Sequence, residues 1–310
     1  YRSLLENIEG LGWRGFSFKS RYQYDWRSKE KPFGTNLLTK LLGLEAFCSD
    51  GEPGQKYADL ASSVQKLTEH ILCDWLAHLL KLARPERVVF AGGVALNPKL
   101  NGELFNLCAS QGVLFSVPPA PSDAGSAQGA LAARLLDGHK WQMRFRSRNY
   151  PFVGCKTAKH DVIAAAEEMG WKWRDWGERA EEVAVSKILN YGVVAWCRGA
   201  AEHGPRALGA RSLLGDPRSR NVGALINEYK KREWFRPVAP LVDSRRVLDY
   251  FDIDTGPYMN INAHALKRAF REIPAAVHFD GTSRVQVISK ESPVYGLLDR
   301  FSQLTGVACL

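Results

Sequence analysis

A short apolar run, Arg87 to Ala91 (RVVFA), leads straight into Gly92-Gly93 and then into a helical pattern from about Pro98 to Gln111. Few folds admit a brief strand that turns on two glycines directly into a helix. Upstream, Tyr57 to Ala83 repeats Leu60, Val64, Leu67, Ile71, Trp75, Leu79 and Leu82 at helical spacing, and Arg84-Pro85 ends that helix. Its apolar stripe is expected to pack into a core. Val113 to Val117 reads as the next strand, Pro118, Pro119 and Pro121 stiffen a loop, and Ser122-Asp123 leads into a helix through Leu136. Strands that feed loops and then helix starts indicate an α/β fold.

Between about Gly138 and Cys155 the periodicity lapses, and a domain boundary is expected there, dividing the chain into 1–145 and 146–310. Beyond it, His160 to Met169 and Glu178 to Tyr191 read as helices and Val193 to Cys197 as a strand. A turn-rich basic stretch follows, holding a helix from about Asn221 to Lys231. Leu241-Val242 is strand-like and Ser244 to Tyr250 helical. Ala276 to Ser289 alternates like a strand across the turn Asp280-Gly281. Pro293 to Thr305 is helical, and a strand begins at Val307.

With 45% hydrophobic and 24% charged residues, the 310-residue chain has an ordinary globular composition. No apolar run approaches the roughly 20 residues needed to span a bilayer, and no signal peptide is visible. Six scattered cysteines form no CxxC pair, which fits free thiols in a reducing cytosol. Seven histidines show no metal-binding spacing; His70 and His78 read as helix-face residues.

Charge is concentrated. From Arg198 to Arg236 nine basic residues face four acids (Glu202, Asp216, Glu228, Glu233), so +5 of the chain's +9 lies in this segment. Guanidinium forks grip anions with several oxygens. Here they sit among GPR, GAR and DPR turns, not in an aromatic-interleaved stripe, which favours a pocket over a nucleic-acid surface. The sharpest string is EHGPRALGARSLLGDPR (Glu202 to Arg218), with Arg206 and Arg211, five apart, flanked by Gly204, Pro205 and Gly209. Lys230, Arg232 and Arg236 surround Trp234-Phe235, a pair readable as core anchors, the weightier reading for Trp234, or as a purine platform. Arg284 follows the Asp280-Gly281 turn and is readable as an ion-pair partner. Gly92-Gly93 is readable as a tight connection or as a phosphate approach at a helix start. Asp123 is readable as a helix N-cap or as a metal ligand.

Taken together, GGVALNPKLNGEL, PSDAGSAQGA, EHGPRALGARSLLGDPR, NEYKKREWFRPVAP, HFDGTSRVQ and YGLLDRFSQLTGV resemble the NodU/CmcH family of O-carbamoyltransferases, with TKLLGLEAF (Thr39 to Phe47) a weaker match. The resemblance implies part of an actin-like, sugar-kinase-like nucleotide-binding domain in 1–145, followed by a YrdC-like domain in 146–310. It implies that carbamoyl phosphate and ATP yield carbamoyl adenylate, whose carbamoyl group passes to a hydroxyl of a small-molecule, natural-product-like acceptor. Arg206, Lys230, Arg236 and Arg284 would then clamp the phosphates. Gly92, Gly93, Asn97, Arg232 and the loop residue Lys40 would bind the nucleotide, and Asp123 a divalent metal, Fe or Mg. The paired metal-binding histidines of the family and its LNTSFN-like segment are not in this sequence, so an internal piece of a longer, cytoplasmic enzyme is expected. His203 stands where the family usually has an aromatic residue. Two alternatives stand beside this reading: a carbamoylation enzyme of hydrogenase maturation or tRNA threonylcarbamoylation, and a non-catalytic nucleotide- or RNA-binding protein. Neither a nucleic-acid nor a membrane partner is expected from the leading reading.

Overall fold

The structure, a computed structural model, describes residues 8–12, 15–18, 54–136 and 151–310. The expected domain boundary near residue 145 and the loop residue Lys40 lie outside them. By internal contacts the chain divides into two units, Tyr1–Val88 with Glu103–Phe115, and Val89–Gly102 with Ser116–Leu310.

The first unit contains the antiparallel strands β1 (Ile8–Gly12) and β2 (Gly15–Phe18) and the long helix α1 (Gln55–Ala83). Arg84 adopts a left-handed conformation, and its N–H donates to the Leu80 carbonyl, closing α1 before Pro85. The core face of α1 follows the expected stripe only at Leu67 and Ile71. Beyond them Leu76 and Leu80 are buried in place of Trp75 and Leu79, which are half-buried, and Val64 is 47% and Leu82 68% exposed. Glu69 is buried on the same helix and receives hydrogen bonds from Gln65 and Lys66.

The unit boundaries run through β3 (Arg87–Val89) and β4 (Leu114–Ser116). On the first unit's side the Leu114 N–H donates to the Glu86 carbonyl; on the second's, the Phe90 N–H donates to the Ser116 carbonyl. A single 3-10 turn, Gly93–Leu96, follows β3 and passes into α2 (Pro98–Ala109). After β4 the proline loop enters α3 (Asp123–Leu136).

In the second unit, α4 (Lys159–Glu168) and α5 (Ala180–Tyr191) precede β5 (Val193–Cys197), which pairs antiparallel with β6 (Arg211–Gly215). The basic stretch therefore contains a strand that its turn-rich composition conceals. Then come α6 (Val222–Tyr229), β7 (Leu241–Asp243), the single turn α7 (Val247–Tyr250), β8 (Ala263–His264), α8 (Lys267–Glu272), β9 (Thr282–Ser283), β10 (Gln286–Ile288) and α9 (Tyr295–Thr305). The strand expected over Ala276–Ser289 is two short pieces with different partners: β9 pairs antiparallel with β8, and β10 parallel with β7. The turn between its halves does form, with Gly281 at φ +76°. The expected strand from Val307 is a bridge: Leu310 and Leu241 exchange backbone hydrogen bonds at 2.8 and 3.0 Å.

The core of this unit gathers Val185 and Ile188 of α5, Val242 of β7, Tyr250, Phe251 and Leu297, Leu298 and Phe301 of α9. Burial of such side chains contributes roughly 1.5–3 kcal/mol each, enough to fix the short strands that carry the basic turns. Five cysteines among the described residues are free thiols. Among the described residues no helix is long and apolar enough to cross a membrane.

Candidate functional site

The GPRALG turn between β5 and β6 needs both of its glycines. Gly204 has φ +108°, and a Cβ there would lie 2.7 Å from the Pro119 carbonyl oxygen; Gly209 has φ +102°, and its Cβ would lie 2.7 Å from Val294 Cγ1. Three side chains hold the turn from outside. Glu202 Oε1 accepts the backbone N–H groups of Leu208 and Ala210, both at 2.7 Å, and of Arg211 at 3.2 Å. The buried Gln286 of β10 donates to the Leu208 carbonyl at 2.8 Å. The Arg211 guanidinium donates to the carbonyls of Arg198, Gly199 and Ala210, so this arginine is a brace for the loop.

Arg206 projects from that turn into a cavity of about 250 Å³, whose lining also includes Lys230, Arg232 and Arg284. Residues separated by up to 78 positions thus converge on one space. The remaining walls are apolar or small, among them Leu214, Val222, Ile226, Pro240 and Met259, and no acidic residue is among those that line it. Arg206 donates one hydrogen bond, to the Leu96 carbonyl at 2.8 Å, which ties the cavity to the Gly-Gly segment of its own unit. The Nε atoms of Arg206 and Arg284 are buried without a hydrogen-bond partner. Buried donors are nearly always satisfied in folded proteins, so two unpaired arginine donors on residues that line one acid-free cavity favour an anionic ligand.

The electrostatics agree. Burial, then the Arg206 and Arg232 charges, hold the Arg284 guanidinium down to about 10. Burial, then Arg232 and Arg284, lowers Lys230. Burial lowers Arg206, and burial followed by the Arg236 charge lowers Arg232. These are cations crowded together without a counter-charge in the cavity, where a multiply charged anion relieves both repulsion and desolvation.

The KKREWFRP segment is shaped by Asn227 at the end of α6. Its amide donates to the carbonyls of Trp234 at 3.0 Å and Arg236 at 2.8 Å, and its oxygen accepts from Arg232 Nε. Arg236 is not brought into the cation cavity. It pairs with Glu233 and lines a separate cleft of about 680 Å³ with Trp234, Phe235, Phe270 and Phe279. Trp234 is 62% exposed and meets Phe235 edge to face at 6.0 Å, so the core-anchor reading of Trp234 is corrected: it stands on the surface because the Asn227-held loop turns it outward.

The Gly-Gly segment adopts the tight geometry its sequence suggests. Gly92 has φ +110° and its N–H donates to the Pro121 carbonyl, while Gly93 begins the 3-10 turn. Asn97 Oδ1 accepts the Leu100 N–H at 3.1 Å, capping α2. Asp123 is the exposed first residue of α3. Among the described residues no group of three His, Cys, Asp or Glu side chains could hold a metal ion. Glu202, Asn227 and Gln286 are the residues that motif reasoning passes over; their role is to hold backbone, which no spacing reveals.

Comparisons with known proteins match these elements to one family. Residues 3–132 match the carbamoyltransferase N-terminus model and residues 185–310 the carbamoyltransferase C-terminus model. The chain is 32% identical over 266 residues to nodulation protein NolNO of Sinorhizobium fredii, covering 83% of this chain and 38% of that protein. It is 31% identical to nodulation protein NolO of Bradyrhizobium diazoefficiens, covering 83% of this chain and 48% of that protein. It is 34% identical to nodulation protein U of the same organism, covering 81% of this chain and 43% of that protein. The chain spans less than half the length of each of these relatives. Both family models, matched in order along most of its length, make this chain a member of the carbamoyltransferase family.

Proposed function

We propose that the chain takes part in ATP-dependent O-carbamoyl transfer, with the cation cavity as the place where phosphate-bearing substrates bind. The observation that carries this reading is the convergence of Arg206, Lys230, Arg232 and Arg284 on one space without an acid, two of them with unpaired buried Nε atoms. Its volume of about 250 Å³ suits carbamoyl phosphate better than a whole nucleotide, since sites for drug-sized ligands run to roughly 300–1,000 Å³. In this reading the adenosine end of ATP extends beyond the cavity.

The chemistry then balances as follows. Carbamoyl phosphate gives up its phosphate to water, leaving carbamate and inorganic phosphate. A carbamate oxygen attacks the α-phosphorus of ATP, pyrophosphate leaves, and carbamoyl adenylate forms. A hydroxyl of a small-molecule acceptor attacks the carbamoyl carbon, loses its proton, and AMP leaves. Each phosphoryl step moves negative charge onto departing oxygens. Fixed guanidinium and ammonium groups stabilise that charge without reorganising, which is usually the largest catalytic contribution in such reactions. Arg206 and Arg284 would hold the transferred group, with Lys230 and Arg232 neutralising the leaving phosphates.

The finer assignments belong to the same proposal: a YrdC-like architecture for the part that holds the cavity, an actin-like one for the earlier part, and transfer near Gly92, Gly93 and Asn97. Gly92 at positive φ leaves its backbone open for close approach by a ligand. A divalent metal, Fe or Mg, would need ligands beyond Asp123, and the described residues do not supply them; no step is routed through it. A cytoplasmic setting suits ATP and the free thiols.

The test is pyrophosphate release from ATP that depends on carbamoyl phosphate, with Arg206→Ala beside the wild type. Release that vanishes in the variant supports the reading. Binding of neither substrate would leave the family membership standing and overturn the assignment of the cavity.

A further inference from the structure

We infer that Glu202 is a positioning residue for Arg206: its carboxylate fixes the GPRALG turn so that the Arg206 charge stays available to an anion. This rests on the reading of the cation cavity given above.

The geometry is specific. One oxygen, Glu202 Oε1, takes three backbone N–H groups from residues 208, 210 and 211, just after Arg206 in the turn. The turn crosses two left-handed glycines, and a chain with that freedom has many alternatives unless something selects one. An ionised oxygen is the strongest acceptor available for this task, because hydrogen bonds to a charged group are roughly twice as strong as neutral ones. The arrangement also separates two jobs. A carboxylate near an arginine-rich loop would ordinarily form an ion pair with it, which would neutralise the cation. Here the negative charge is directed to amides, while Arg206 donates only to the neutral Leu96 carbonyl and keeps its Nε–H unpaired. Glu202 therefore shapes the loop without quenching the charge that the loop presents.

The neighbouring braces make the effect local. Gln286 still holds the Leu208 carbonyl from β10 and Arg211 still holds three carbonyls at the base of the turn, so loss of the carboxylate loosens the amides of residues 208, 210 and 211, the arm that anchors Arg206, without removing every restraint on the turn. Glu202→Gln keeps the shape and an oxygen that can take the Oε1 position, and removes the charge that strengthens its three hydrogen bonds.

The experiment is a double-mutant cycle read with inorganic pyrophosphate in a calorimeter. The four proteins are the wild type, Glu202→Gln, Arg206→Ala and the double variant, each checked by thermal melting. We expect Glu202→Gln to weaken pyrophosphate binding roughly tenfold, the scale of halving a charge-assisted contact. Because Glu202 acts through Arg206, the double variant should bind no more weakly than Arg206→Ala alone. Wild-type affinity in Glu202→Gln, or losses that simply add, would overturn the inference while leaving the cavity intact. Unchanged binding in Arg206→Ala would overturn the cavity reading and Glu202 with it. Should Glu202→Gln not fold, Glu202→Asp, which keeps the charge but draws it back by one methylene, carries the same cycle with a smaller expected loss.

Discussion

Replacing Arg284 with Met should make the folded protein more stable and a poorer binder of phosphates. Arg284 is held down to about 10, well below the ordinary guanidinium value, first by burial and then by Arg206 and Arg232. One pKa unit corresponds to about 1.4 kcal/mol between protonation states, so the charge carries a folding penalty of at most about 3 kcal/mol. The sign follows from the depressed value. Below pH 10 the guanidinium is charged in both folded and unfolded chains, so the penalty is fully present at pH 7, and it fades only as pH rises beyond 10. Met keeps a similar reach and removes both the charge and the unpaired Nε–H. After allowing for solvent relaxation and lost contacts, a gain of roughly 1–2 kcal/mol remains, a rise in melting temperature of about 2–8 °C. The assay is a thermal melt in anion-free buffer and again with pyrophosphate. A ligand at 100 times its dissociation constant adds about 2.7 kcal/mol to the wild type, and the variant should lose most of that protection. A variant that melts lower than the wild type without anion, or that pyrophosphate protects equally well, would refute the reasoning.

Other outcomes follow from the same geometry. Gly209→Ala should destabilise by roughly 2–4 kcal/mol, because the new Cβ meets Val294 at 2.7 Å on a backbone at φ +102°; urea unfolding reads this directly. Asn227→Ala leaves the Trp234 and Arg236 carbonyls without their donor and Arg232 without its acceptor, so a loss of about 2 kcal/mol in urea unfolding and weaker phosphate binding are expected. Burial pushes Glu272 up, but hydrogen bonds from Arg271, Arg268 and Tyr250 outweigh it and hold it at about 2. Its contribution is therefore present above pH 4.5 and lost as pH falls towards 2; Glu272→Gln should narrow the stability difference between pH 7 and pH 3 in urea melts. Among Cys73, Cys108, Cys155, Cys197 and Cys309, iodoacetamide should label the exposed Cys155 and Cys197 first. Burial, with Glu103 and Glu69 nearby, pushes Cys73 up to about 11, and Cys309 is fully buried; mass spectrometry of a timed reaction gives the order.

The helices and the strand before Gly92 were legible because each announces itself locally: α1 by its apolar spacing, β3 by a short run stopped by two glycines. The exact face of α1 was not, since several leucines compete at helical spacing: Leu76 and Leu80 are buried where Trp75 and Leu79 were expected, and Val64 and Leu82 are exposed. β6 was hidden because Arg211 to Gly215 follows a turn-rich string, and only its pairing with β5 reveals it. For the site, composition singled out the basic segment, and four of the cations named from sequence do meet. Their meeting depends on the parallel β7–β10 pairing and the Gln286 bond to Leu208, contacts that no local pattern encodes. The separation of Arg236 from the others is the converse case, a short-range pairing with Glu233 winning over the cavity.

The claim that matters most is that the Arg206–Lys230–Arg232–Arg284 cavity receives the carbamoyl donor. The most direct measurement is a calorimetric titration of carbamoyl phosphate into the wild type, Arg206→Ala and Arg284→Met at near-physiological salt. One site per chain, surviving that salt and lost in both variants, is the expected result. Binding that is absent from the wild type, or that both variants retain, would contradict the account.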